Sequence, residues 1–330
     1  MRRSLGSIVL TILLATPAVA QVPPTYITSW GSAGTGPGQF QPLFYVATDA
    51  VGQVYVFDTG RVQIFSSDGL FLSQWATQDP SSSPVGIAVD GLGRVHLLLS
   101  PSYRITNHEV YTAGGTLVGS YGGTYGVGCE CSLHANGIAA GSSGESFMTR
   151  WGYYQPYGQP QTPVAEVVRS LYPSGGASWG SPGSGPGRLT EPNGVGVDAA
   201  GFVYVTDNRT VRVQKYTSDG TFITQWGSSG PGGSLAYNSW QIAVGPDGRA
   251  STFTLGASQI QEFTSDGAFL GRWGSPGTGP GQFSFIYGIA VDGQGNIFVA
   301  DDGNYRIQKF GSAPTPTARS SWGRLKSIYR

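Results

Sequence analysis

The chain has 330 residues, with 19 basic and 19 acidic side chains, three histidines and a formal net charge of zero at pH 7. Glycine is abundant (52 residues), while charged and aromatic residues each make up 12%. A neutral surface of this kind has no reason to seek a polyphosphate backbone, so no nucleic-acid partner is expected.

The first twenty residues read as a signal peptide: Arg2 and Arg3, an apolar run Ile8–Leu14, then Ala18-Val19-Ala20 before the cut. The run is far shorter than the roughly 20 residues a membrane span requires, so no transmembrane segment is expected. The mature chain is expected to begin near Gln21 and to be secreted, periplasmic or held in the cell envelope. Without Arg2, Arg3 and the basic C-terminal tail, the remainder is mildly acidic.

From Trp30 onward the chain repeats itself. An opening aromatic falls at Trp30, Trp75, Tyr121, Trp179, Trp226 and Trp273, at intervals of about 45 to 58 residues. Each is followed by a short apolar signature: Val46–Asp49, Ile87–Asp90, Ile138–Gly141, Val195–Asp198, Ile242–Gly245 and Ile289–Asp292. Apolar runs of four to six residues between glycines and aspartates are strands. A four-stranded unit of this length buries its faces only when stacked radially, which predicts an all-β, six-bladed β-propeller of antiparallel blades. The sixth unit lacks its outer strand, because GSAPTP follows Phe310. Tyr26–Trp30 has the composition of the missing strand and is expected to close the ring. The domain plan is a signal peptide (1–20), a propeller (21–312) and a Pro-rich linker with a basic tail (313–330).

The consensus W-G-S-x-G-T-G-P-G-Q-F, G-I-A-V-D-x-x-G-x-V-Y-V-x-D, R-I-Q-K-F, S-D-G-x-F-x-x-Q-W resembles the NHL repeat family over Tyr26–Phe310. It is strong in repeats one, four and six and poor in three. The resemblance implies a propeller that mostly serves as a binding scaffold, with a minority of lyases.

Blade three departs from the pattern. It carries Trp151–Thr162 (WGYYQPYGQPQT), expected as an aromatic outward loop whose Trp151, Tyr153 and Tyr154 offer a contact surface. Its Cys129 and Cys131, the only cysteines, are expected to form a local disulfide, with half a metal site as the alternative. In the tail, Trp322, Leu325 and Ile328 alternate with Arg324, Lys326 and Arg330. A docking helix, a surface-attachment patch, a sorting tag and a frayed end all fit that pattern.

The channel mouth, where one residue per blade enters the inner strand, is the expected place for chemistry: Phe44, Val85, Asn136, Asn193, Trp240 and Tyr287. NHL-type amidating lyases place zinc-binding histidines here, but His96 and His108 belong to the second and third strands of blade two and His134 stands alone. Some six-bladed lactonases hold a cation with Glu, Asn, Asn and Asp; this mouth offers two asparagines, with Glu191 nearby, and no carboxylate in the ring. Neither metal nor cofactor is expected. Asp58, Asp207 and Asp301, each followed by an arginine, recur around the ring and read as structural. The glycine loops lack the lysine and helix of a phosphate cradle. The expectation is therefore a non-enzymatic module with no catalytic residues. It would bind a protein, peptide or carbohydrate through Phe44, Asn136, Asn193, Trp240, Tyr287 and the blade-three aromatics. The alternative is a metal-dependent lyase or lactonase at the same mouth.

Overall fold

Short runs of alternating apolar and polar residues, each stopped by a glycine turn, pair in sequence into six four-stranded antiparallel sheets. The computed structural model describes residues 23–42, 44–102, 105–122, 132–171, 175–227, 239–254 and 258–311. The signal segment, Cys129, Cys131 and the tail 313–330 lie outside the described residues.

The innermost strands are Tyr45–Thr48, Ser83–Val89, Ser132–Ala140, Pro192–Val197, Ser239–Val244 and Ile286–Val291. Each touches the inner strands on both sides, and the contacts run from the last blade back to the first. The chain is a closed six-bladed propeller. A glycine ahead of the apolar signature permits this closeness. A Cβ on Gly137 would lie 2.5 Å from the Asn193 carbonyl oxygen of the next blade.

The core is divided among the joints between blades, one apolar cluster to each. The joint of blades 6 and 1 packs Phe40, Phe44, Val54 and Phe65 against Phe298 and Ile307. The smallest cluster, Ala88, Leu98 and Ile138, belongs to blades 2 and 3. At the edge of these clusters, the tryptophans of four outer strands, Trp30, Trp75, Trp179 and Trp226, each cover a turn glycine of the next blade. Gly220 (φ +90°) would bring a Cβ within 2.4 Å of the Trp179 ring, and Gly69, Gly115 and Gly267 are covered in the same way. Only glycine takes this φ cheaply and leaves room for the ring.

Closure follows the reading of the repeats. Tyr26–Trp30 pairs antiparallel with Arg306–Phe310, the third strand of the last blade. The Gly311 amide donates to the Thr25 carbonyl at 2.8 Å, and Tyr26 meets Phe310 edge-on at 5.9 Å. Trp30 then packs on Phe65 and Phe298 across the joint. Removing residues 21–31 strips this strand, bares the edge of Arg306–Phe310 and uncovers Gly69. The loss should exceed about 3 kcal/mol, well beyond a surface substitution. Thermal denaturation of the shortened protein checks it; a melting temperature within a degree or two of the parent would mean that the ring is held shut elsewhere.

Candidate functional site

The mouth is built from bulges. In five blades the register between the inner strand and its neighbour shifts near the start of the strand, at Pro84/Gly86, Ala135/Gly137, Pro192/Val195, Ser239/Gln241 and Ile286/Gly288. A bulge re-aims a side chain out of the regular pleat. Asn136, Asn193, Trp240 and Tyr287 all fall within these shifts, at equivalent positions of four blades. Their environments differ.

Phe44 requires a correction as a ligand-contact residue. It is fully buried, stacked on Phe40 at 5.0 Å within the joint of blades 6 and 1, and presents no face to a ligand. Asn193 is also buried. Its carbonyl accepts the Thr149 hydroxyl, while its Oδ1 has no partner. Asn136, with its amide oriented to satisfy both ends, accepts from Trp151 Nε1 at 2.8 Å and donates to the Ala135 carbonyl at 3.2 Å. Tyr287 is half-buried, edge-on to Tyr45 at 5.1 Å and stacked on Phe285 at 6.1 Å; burial pushes its phenol up. The backbone of Trp240 lies in Ser239–Val244, and its side chain is outside the described residues.

The blade-three aromatics are carried differently from the expected loop. The second strand of this blade runs Glu145–Tyr154 and the third Thr162–Leu171, a ten-residue hairpin paired along its whole length. Trp151, Tyr153 and Tyr154 are therefore strand residues, and only 155–161 form the connection. Tyr153 and Tyr154 are exposed; Trp151 leans on His134 at 5.3 Å.

Between this hairpin and blade 4 opens a cleft of about 260 Å³, lined among others by Trp151, Tyr153, Pro163, Thr190, Glu191 and Arg209. One wall is aromatic and apolar. The other holds an ion pair, Arg209 Nη1 to Glu191 Oε1 at 3.4 Å, with the arginine largely exposed. The Glu191 backbone is fixed from behind: its amide donates to Asp207 at 2.9 Å and its carbonyl accepts the Asn208 amide at 3.1 Å. Sequence reasoning reached Trp151 and Tyr153 through their composition. It noted Glu191 only as a neighbour of Asn193, and Arg209 and Thr190 carried no signal, because the cleft joins two blades.

The donor set does not fit a divalent metal. Asn136 is engaged by Trp151 and Glu191 by Arg209, and among the described residues no three of His, Cys, Asp and Glu converge. His96 and His108 are occupied elsewhere. His96 Nε2 lies 3.0 Å from Asp90 Oδ2 and its Nδ1 3.0 Å from His108 Nε2, forming a buried chain that faces blade 3. His96 stands where blades 1 and 4 place Tyr55 and Tyr204, whose hydroxyls likewise bond the aspartate ending the inner strand.

The repeated aspartates are structural. Asp58, Asp207 and Asp301 are buried and paired with Arg61, Arg212 and Arg306 at 2.9, 3.3 and 2.9 Å. Each also accepts loop amides, from Gln41, Thr190 and Ser284 respectively.

The sequence model of the NHL repeat matches residues 189–216 and 283–310, the first three strands of blades 4 and 6. The resemblance drawn from the consensus is thereby borne out: the chain carries NHL repeats in a six-bladed propeller. No curated protein matches the sequence. Among solved structures, a gluconolactonase from Xanthomonas campestris is similar at 19% identity, covering 88% of this chain and 98% of that one, with a TM-score of 0.53. A streptogramin B lyase matches at 12% identity over 88% and 95%, TM-score 0.51. A luciferin-regenerating enzyme matches at 10% over 83% and 92%, TM-score 0.55. At such identities the likeness is one of fold. It nonetheless corrects the expectation of a non-enzyme: proteins named for reactions share this architecture nearly end to end, so the propeller gives no ground for excluding catalysis.

The histidine chain yields a pH dependence. Burial, and then the neighbouring His96, lowers the pKa of His108 from its ordinary 6.5 to about 3. Between those values the unfolded chain takes up a proton that the folded protein does not. The contribution is intact above pH 6.5 and shrinks as pH falls, by about 1.4 kcal/mol per unit for one such group. Denaturant titrations from pH 7 to 4.5 should show a steeper acid loss in the parent than in His108→Gln. Parallel curves would mean that His108 is already protonated in the native state.

Proposed function

We propose that this protein binds a carbohydrate in the mouth-face cleft between blades 3 and 4. The observation that carries the reading is the opposition of an aromatic wall, Trp151 and Tyr153, to the paired carboxylate and guanidinium of Glu191 and Arg209. A sugar presents just these two aspects, C–H faces that pack on rings and hydroxyls that bridge a charged acceptor and a charged donor. A polyanion would meet Glu191 and gain little. The cleft volume of about 260 Å³ suits one or two rings of a longer chain passing across the face.

A second reading, ring-opening or cleavage of the bound molecule by a lyase or lactonase, is favoured by one observation: a carboxylate, Glu191, stands at the cleft within reach of a bound ligand. Both readings are separated by one experiment. Oligosaccharides and short peptides are offered to the mature protein, and binding and product formation are followed together. Trp151→Ala should weaken sugar binding at least tenfold, about 1.4 kcal/mol, while Glu191→Gln should abolish turnover if the molecule is consumed. Binding of peptides alone, or sugar binding indifferent to Trp151, would overturn the carbohydrate reading.

We further propose that the protein works outside the cytoplasm, and that residues 313–330 serve as an address or attachment segment rather than part of the fold. The support is sequence pattern: the leader in residues 1–20 and the Pro-Thr break before a short basic, aromatic end. Deleting 313–330 should leave the melting temperature unchanged and alter where the protein accumulates. A large drop in melting temperature would show instead that the tail packs on the propeller.

A further inference from the structure

The face opposite the mouth carries a cationic fastening at two joints, and a third joint holds the cation without the contact. In blades 4 and 6 a lysine of the third strand reaches the Ser-Asp-Gly turn of the next blade. Lys215 Nζ donates to the Ser265 carbonyl at 3.3 Å, and Lys309 Nζ to Ser67 Oγ at 2.6 Å and Asp68 Oδ1 at 3.0 Å. Each ammonium also lies over an aromatic ring, Lys215 over Phe202 and Lys309 over Phe298. Arg169 occupies the corresponding place in blade 3, with its guanidinium over Phe147 at 5.9 Å. It does not reach the corresponding turn, Thr217–Gly220. Its Nε is buried without a partner, and among the described residues no carboxylate lies within ion-pair distance of it.

The gap left there is a cavity of about 360 Å³, lined among others by Ser142, Glu145, Arg169, Phe202, Thr217 and Ser218. Glu145 is only 5% exposed, and its Oε2 has no hydrogen-bond partner. In the hairpin register Glu145 faces Leu171 and Phe147 faces Arg169, so Glu145 and Arg169 are diagonal neighbours on the side turned toward blade 4. An acid and a base thus flank one cavity, each with an unfilled bonding position, and are not joined to each other. Buried polar groups of this kind are costly unless something completes them. A water molecule would satisfy either atom but leaves most of the cavity empty.

We propose that this cavity is a second ligand site, distinct from the mouth-face cleft, and that it takes a small zwitterion of the α-amino-acid type. The carboxylate would bond the Arg169 guanidinium, with the Thr217 and Ser218 hydroxyls beside it, and the ammonium would bond Glu145. A ligand carrying one charge would satisfy one buried group and strand the other, so the site discriminates by requiring both. Phe202 and Ala199 provide an apolar side for a short side chain. Because the cavity spans blades 3 and 4, a bound molecule supplies the fastening that Lys215 and Lys309 supply at their own joints.

The test is calorimetric titration of the mature protein with L-serine, L-alanine and L-valine, alongside L-serine amide, which lacks the carboxylate, and N-acetyl-L-serine, which lacks the ammonium. At least one of the free amino acids should bind and raise the melting temperature, and neither single-charge analogue should. Arg169→Met and Glu145→Gln should each weaken binding tenfold or more while remaining folded by circular dichroism, and Trp151→Ala on the other face should leave it unchanged. Should either variant fail to fold, Arg169→Lys, which keeps the charge but not the paired donors, takes its place with the same expectation. Absence of binding by all three amino acids overturns the proposal. So does binding that survives both substitutions, or a coupled loss of stability in the two variants with no ligand effect, which would show that Glu145 and Arg169 pair with each other in solution.

Discussion

A buried carboxylate clasping an arginine organises the strongest blades. Asp58, Asp207 and Asp301 end their second strands in full burial, and each aims its oxygens at loop amides and at the arginine that starts the third strand. The arginines pass the connection on: Arg306 donates to the carbonyls of Thr278, Gly279 and Gln282, and Arg212 to those of Ser184, Gly185 and Arg188. Gln63, Gln214 and Gln308 complete the set, each accepting a glycine amide and donating to a loop carbonyl. A glycine loop with almost no secondary structure thereby has its backbone groups satisfied. Removing one partner of such a buried pair strands the other, at about 3 to 5 kcal/mol. The charge is tolerated because both oxygens of Asp58 and every guanidinium nitrogen of Arg61 and Arg306 have a partner, and in Arg212 only Nε lacks one.

That clasp also sets the functional face. The loop it holds in blade 4 presents Pro182 and Gly183 to the mouth-face cleft, and Asp207 fixes the backbone of Glu191 inside it. Blade 3 lacks the motif and has a long hairpin instead, stiffened by the Arg150–Glu166 pair. Where a regular blade meets an irregular one, the surfaces cannot match along their whole height, and both clefts open at that joint. The joint of blades 2 and 3 shows the same irregularity inside: a hydrogen-bonded histidine chain takes the places that blades 1 and 4 fill with Tyr55 and Tyr204 and with Val62 and Val213.

The strand count, the blade number and the closing role of Tyr26–Trp30 were legible because they depend on period. Apolar runs, turn glycines and the missing sixth outer strand are local features, and radial stacking is the one arrangement that buries them. The structural role of Asp58, Asp207 and Asp301 was legible for the same reason, since a feature repeated around a ring is unlikely to be singular chemistry. Alignment also put Asn136, Asn193, Trp240 and Tyr287 at equivalent positions of four blades. It did not show that Phe44, one residue ahead of its strand, turns inward onto Phe40, because one residue in a strand reverses the face.

By itself, then, the sequence determined the propeller, its closure and the repeated clasp, all consequences of hydrophobic period and turn chemistry acting within one blade or between identical ones. The tertiary structure alone decided which aromatics are buried, that Trp151 is committed to Asn136, that Glu191 meets Arg209, and that Arg169 falls short of the turn its counterparts reach. These pairings join residues of different blades or opposite strands of one hairpin. Their partners are set by how unlike surfaces fit, and no local pattern in the chain records that fit.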